Sequence, residues 1–172
     1  MSSQEALRDL PAHLADEVQH AQSMRPGRSW LAVDSAGHHF LFPLTEAGEI
    51  FPMVPLMPVP HSQSWLLGVG NLRGHLHGVV DLGRFLGLVP TEPVREPTML
   101  VAFNASFDVN AALRVDRLAG LRGEADFSLE RDADPAAPTF VGQRLRDAEG
   151  RVWQEIHLAA LVRHEAFLRI VG

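Results

Sequence analysis

The sequence contains no cysteine, so disulfides, thiolate metal sites and cysteine nucleophiles are excluded. It also contains no lysine: all 15 basic residues are arginine, set against 21 acidic ones, for a formal net charge of -6. An acidic chain without a basic block is poorly suited to nucleic acid or an anionic membrane surface. Nowhere do about 18 or more apolar residues run together, which excludes a helical membrane span. The N-terminal MSSQEALRDL lacks the basic stretch and long apolar core of a secretory signal. A cytoplasmic protein with no membrane insertion is the expectation. What remains is an ordinary globular balance, 46% hydrophobic and 21% charged over 172 residues, long enough to bury a core without staples.

Catalytic constellations are also missing. Gly68-Val69-Gly70 is a fragment of a dinucleotide fingerprint, but strand-like text flanks it where a helix N-terminus would have to bind pyrophosphate. Ser62 and Ser64 have no GxSxG elbow around them. Asp108, Asp116 and Asp126 are scattered and form no acid/base couple. Histidine is better represented. His75 and His77 would project from one face of a strand, the start of a metal pair, and His38-His39 form a second pair. No carboxylate stands near either pair at ligand spacing, so no metal site or cofactor is expected. A metal- or ligand-binding β-barrel using the His75/His77 face is the alternative kept open.

Residues 1–28 read as a helical extension. Leu7, Leu10, Leu14, Val18 and Ala21 draw one apolar stripe, Pro11 interrupts it, and Met24-Arg25-Pro26-Gly27 ends it. From Ser29 the texture changes to short apolar runs between turn residues. Strands are expected at 29–34 and 38–44 around Ser35-Ala36-Gly37, at 66–72 and 75–81 around Arg73-Gly74, and at 98–103 and 109–115. Two more, at 139–146 and 151–157, bracket Asp147-Ala148-Glu149-Gly150. A helical turn is expected near 45–49, another over 82–88, and a helix over 158–170. Pro52, Pro55, Pro58 and Pro60 confine 50–60 to an edge strand or an extended surface segment. Residues 89–97 read as a polar link between two lobes, and 130–138 as a loop. The pattern is mainly β, as in small barrels with a helix at each end.

The run Trp65-Leu66-Leu67-Gly68-Val69-Gly70-Asn71-Leu72-Arg73-Gly74, followed by Val79-Val80-Asp81-Leu82 and Phe85-Leu86-Gly87-Leu88, resembles the core signature of the CheW-like chemotaxis coupling proteins. The likeness extends from about Trp30 to Leu168. Phe140-Val141-Gly142, Trp153 and His157 to Leu161 are similar to the PilI branch, which serves type IV pili and twitching motility. The resemblance implies two packed five-stranded SH3-like barrels over 29–172 and a non-enzymatic adaptor. Its partners would be the regulatory domain of a CheA-type histidine kinase and a chemoreceptor cytoplasmic tip. It also implies roles for particular residues. Val69, Asn71, Arg73 and Val80 would face the receptor, and Leu44, Glu49 and Ile50 the kinase. The residues themselves leave Arg73 open between a partner contact and a tie to turn carbonyls or a nearby carboxylate.

Overall fold

The computed structural model describes residues 28–90, 93 and 97–169. The helical extension over 1–28 therefore falls almost wholly outside the described residues, as does most of the link. Hairpins form where alternation meets turn chemistry. β1 (Ser29–Ser35) and β2 (His38–Pro43) pair antiparallel around Ala36-Gly37. Both turn residues have positive φ, 53° and 79°, the geometry that matches the right-handed twist of the flanking strands. β4 (Leu66–Leu72) and β5 (His75–Asp81) repeat the arrangement around Arg73-Gly74.

The second lobe is a five-stranded sheet of order β3-β6-β7-β5-β4, where β3 is Ala47–Pro52, β6 Met99–Phe103 and β7 Ala111–Val115. β5 and β7 pair in parallel. The expected helical turn over 45–49 is instead a short turn followed by β3, because β6 supplies a pairing partner for that backbone. β3 is an edge strand, yet the edge is closed. The chain runs on from Pro52, and Met57 exchanges both backbone hydrogen bonds with Val69 of β4, at 2.8 and 2.9 Å. Gly68 and Gly70 permit that approach. A Cβ on Gly68 would lie 2.6 Å from the Met57 carbonyl oxygen, and one on Gly70 would lie 2.8 Å from the Val54 and Leu56 methyls. These glycines serve close packing of strands.

The first lobe holds β1 and β2 together with β8 (Arg117–Gly123), β9 (Phe127–Arg131), β10 (Val141–Asp147) and β11 (Val152–Ile156), in the order β8-β1-β2-β11-β10-β9. β8 and β9 lie at opposite ends of that order but are joined by one 3₁₀ turn, Glu124–Asp126. They act as one bent strand, so the six labelled strands close as the five of an SH3-like barrel. β8 went unforeseen, and β9 takes in the first two residues of the expected loop.

The lobes are interleaved in sequence. The chain leaves the first lobe after Pro43 and returns at Arg117, whereas residues 89–97 join elements of the same sheet. The expected lobe boundary at 89–97 is therefore replaced by crossings near 44–46 and at Asp116. Asp116 fixes the second crossing: its backbone N–H donates to the Asp34 carbonyl at 2.9 Å and its side chain accepts from Ala36 N–H at 3.0 Å.

Each barrel has a small interior, Trp30, Ala32, Leu41, Leu145 and Trp153 in one, Leu72, Val79, Leu100, Ala102 and Ala112 in the other. A cluster of 20 buried residues spans both sheets. Full burial of a Leu, Val or Phe side chain contributes roughly 1.5–3 kcal/mol, so the seam between the lobes contains most of the hydrophobic stabilisation. α1 (Leu82–Phe85), α2 (Leu158–Leu161) and α3 (Glu165–Leu168) cover it. The helix expected over 158–170 is thus two single turns, with His164 capping the second through Ala166 N–H. Phe167 packs on Trp65, Phe85 and Phe103. Asp81 caps α1 by accepting from Arg84 N–H at 3.0 Å and from Arg114 Nη1 at 2.6 Å.

Candidate partner-binding surface

The β4–β5 turn gathers most of the residues singled out in the sequence. Asn71 Oδ1 accepts from Gly74 N–H at 2.8 Å, bridging the turn. Arg73 takes the left-handed conformation, with φ of 55°. A non-glycine residue held there costs about 1–2 kcal/mol. Its guanidinium donates to no turn carbonyl among the described contacts; it pairs with the carboxylate of Glu49. The pair is exposed, 73% for Arg73 and 45% for Glu49, so its net contribution to stability is below about 1 kcal/mol. Barrel closure brings the two together: Glu49 stands on β3, Arg73 follows β4, and these are the two ends of the sheet order. Glu49, implied for the kinase, and Arg73, implied for the receptor, therefore meet on one surface.

On β4, Val69 and Asn71 point away from the barrel interior, and cross-strand pairing sets Leu76 opposite Asn71. Leu76 is 65% exposed and Met57, opposite Val69, 73% exposed. Neither drew notice in the sequence as an individual surface residue. Leu76 lies in a strand whose alternation breaks at His77-Gly78, and Met57 in a proline-broken segment whose apolar residues follow neither the helix nor the strand period. Two expected contact residues are corrected. Leu44 and Val80 are each only 3% exposed and belong to the seam between the lobes, so neither side chain can reach a partner. Val80 shares the outer face of this sheet with Val69, farther along the hairpin, where the seam between the lobes covers it. Ile50 is half-buried at the β3 edge.

His75 and His77 gain no third donor. His77 Nδ1 lies 3.1 Å from the His75 carbonyl oxygen, and among the described residues no three His, Asp or Glu side chains gather as ligands. The metal-binding alternative is not favoured. His39, by contrast, finds a carboxylate that spacing did not show. The hairpin register sets it opposite Asp34, Nδ1 to Oδ1 at 2.6 Å, and Arg117 donates to the other Asp34 oxygen. These side chains form a surface ion cluster. Glu155, at 2% exposure, is a buried carboxylate that sequence reading passed over. It accepts from Trp30 Nε1 at 2.8 Å, with Arg28 and His157 beside it at 3.7 and 3.3 Å. Its partners are satisfied and its role is to hold the first barrel. Asp147 Oδ atoms accept from the Trp153 indole and from the backbone of Glu149 and Arg151. Burial pushes its carboxyl up, but those bonds and the Arg151 guanidinium outweigh it and bring it down to about 2. No described helix is long and apolar enough to cross a membrane.

Comparison with known proteins agrees with this architecture. Residues 29–166 match the model of the CheW-like domain. The chain is 31% identical over 149 residues to Protein PilI of Pseudomonas aeruginosa, covering 83% of this chain and 81% of that one. It is 30% identical over 111 residues to Chemotaxis protein CheW of Rhizobium meliloti, covering 64% and 70% respectively. The crystal structure of scaffolding protein TtCheW from Thermoanaerobacter tengcongensis superposes with a TM-score of 0.59 at 16% identity. The match covers 77% of this chain and 92% of that one, so the likeness is one of fold. With a two-lobed β fold, the family's core signature at the β4–β5 hairpin and this extent of similarity to PilI, the chain belongs to the CheW-like family, on its PilI side.

Proposed function

We propose that this protein is a non-enzymatic cytoplasmic adaptor that couples chemoreceptors to a CheA-type histidine kinase, in a chemosensory pathway serving type IV pili and twitching motility. The observation that carries the reading is the likeness to PilI over most of both chains, on a surface whose chemistry suits binding and not catalysis. Val69, Asn71 and Arg73 are the proposed receptor-facing residues, Glu49 and Ile50 the kinase-facing ones. Leu44 and Val80 lie in the seam between the lobes.

The shared surface gives the coupling a physical basis. A partner that engages Glu49 changes the ion pair that orients Arg73, so the two binding events are linked in free energy. The supporting features are exposed apolar side chains beside a charged pair, which suit a contact formed and released by protein partners. No cofactor enters this reading, and the acidic balance argues against nucleic acid as a partner.

The test is reconstitution from purified components. The protein is mixed with the regulatory domain of a CheA-type kinase and a chemoreceptor cytoplasmic tip, and capture is measured by co-sedimentation and calorimetry. Saturable binding of both, abolished by charge reversal at Glu49 and Arg73 together with substitution of Val69, is expected. Stoichiometric zinc with no kinase binding sinks the adaptor reading.

A further inference from the structure

A cavity of about 240 Å³ opens where the two lobes meet. The first lobe supplies the β1–β2 turn, with Ser35 and Ala36. The second supplies α1 and the ends of β5 and β7, which bring Arg84, Asp81 and Arg114. Asp116, at the crossing between the lobes, completes a polar wall, and Leu67, Leu88 and Pro90 form an apolar one. Gly83 keeps the lobes close: a Cβ there would lie 2.9 Å from the Ala36 Cβ and 3.3 Å from the Ser35 hydroxyl oxygen. The volume is below the roughly 300–1,000 Å³ of pockets that take drug-sized ligands, so an occupant must be small.

The polar wall satisfies itself only in part. The Arg114 side chain is 13% exposed, and its Nη1 donates to Asp81 Oδ2 at 2.6 Å. Its Nε and Nη2 groups form the edge that can hold a carboxylate through two parallel bonds, and they donate to no described residue. Arg84 pairs with no described carboxylate; its guanidinium meets the Ser64 carbonyl at 3.3 Å. Ser35 is buried, and its hydroxyl has no hydrogen-bond partner among the described residues. On the acceptor side, Asp116 Oδ2 takes the Ala36 N–H, but Oδ1 lies 3.8 Å from Arg114 Nη1, beyond hydrogen-bond reach. Donors and acceptors taken out of water without partners cost free energy, so a ligand that answers both kinds gains by binding here.

Charge selects among such ligands. Two arginines and two aspartates line the cavity, so a bare anion or cation meets attraction and repulsion together. A zwitterion sets each of its charges against an opposite one. The apolar wall of Leu67, Leu88 and Pro90 suits a short hydrocarbon side chain.

We propose that the cavity between the lobes is a binding site for a small α-amino acid with an aliphatic side chain. The ligand carboxylate accepts from Arg114 Nε and Nη2 and from the Ser35 hydroxyl, and its ammonium donates to Asp116 Oδ1. The site does not involve the Glu49–Arg73 pair and does not depend on the adaptor reading.

The experiment titrates the full chain by calorimetry with three probes: L-valine, isovalerate, which lacks the ammonium, and isobutylamine, which lacks the carboxylate. The titrations are repeated on Ser35→Ala and on Asp116→Asn, whose amide oxygen still accepts from the Ala36 N–H. Melting of each protein is followed by circular dichroism. Saturable binding of L-valine with a Kd at or below about 1 mM is expected, with both single-charge analogues at least about tenfold weaker. Asp116→Asn should lose about tenfold in affinity for L-valine while binding isovalerate no more weakly than the wild type does, a split that general damage to the fold does not produce. Ser35→Ala should weaken L-valine severalfold with an unchanged melting temperature, and it carries the test if Asp116→Asn fails to fold. Absence of saturable L-valine binding overturns the proposal. So does isovalerate or isobutylamine binding as tightly as L-valine, and so does wild-type affinity for L-valine in either folded variant.

Discussion

Replacing Arg73 with glycine separates its structural from its binding role. Its φ of 55° belongs to the region where an L side chain costs about 1–2 kcal/mol and glycine costs little. Against that relief stands the extra freedom glycine brings to the unfolded chain, roughly 0.4–1 kcal/mol. The lost Glu49 pair removes less than about 1 kcal/mol more, since both groups face solvent. The terms nearly cancel, and Arg73→Gly should shift folding stability by no more than about 1 kcal/mol. Asn71 still accepts from the residue 74 N–H, so the turn keeps its bridge. The assay is urea unfolding followed by tryptophan fluorescence, run beside capture of the receptor tip and of the kinase regulatory domain. Stability within about 1 kcal/mol of wild type with capture reduced at least about tenfold supports a partner-facing Arg73. A loss above about 2 kcal/mol would refute the reasoning, because it would mean the Glu49 tie holds the barrel closed.

Two further outcomes follow from the geometry. Gly68→Ala should destabilise by more than about 2 kcal/mol, because its Cβ meets the Met57 backbone carbonyl at 2.6 Å and φ is 146°; an unchanged denaturation midpoint would show that closure at Met57 is dispensable. Asp147 is held near a pKa of about 2, below its ordinary 3.8. The folded state therefore favours its carboxylate. That contribution, at most about 2 kcal/mol, is complete above about pH 4 and is lost as pH falls through about 2. Asp147→Asn should lower stability at neutral pH and flatten the acid limb between pH 4 and 2; an identical acid limb in wild type and variant would dismiss the linkage.

Local features of this protein are legible without coordinates. Hairpins at 29–43, 66–81 and 141–156 combine alternation with residues that tolerate positive φ, and both requirements act within a few residues. The family signature is similarly local, which is why the fold class and the kinship are already evident from Trp65 to Leu88. Barrel closure and lobe membership depend on contacts between distant residues. β1 pairs with β8 and β5 with β7 across long intervals, so a polar link at 89–97 resembles a boundary although both of its ends enter one sheet. β8, reading Arg-Leu-Ala-Gly-Leu-Arg-Gly, lacks the β-branched residues that mark strands; it is made a strand by the edge that β1 offers.

The candidate surface divides in the same way. Sequence alone determined that this chain carries the CheW-like family's NLRG turn. Only the tertiary structure decided that Leu44 and Val80 lie buried in the seam, that Arg73 meets Glu49, and that Met57 and Leu76 are exposed beside Val69. Burial and charge pairing are properties of surfaces formed when distant segments meet, and here curling of one sheet, closed by the Met57–Val69 exchange, brings β3 and the β4–β5 turn together.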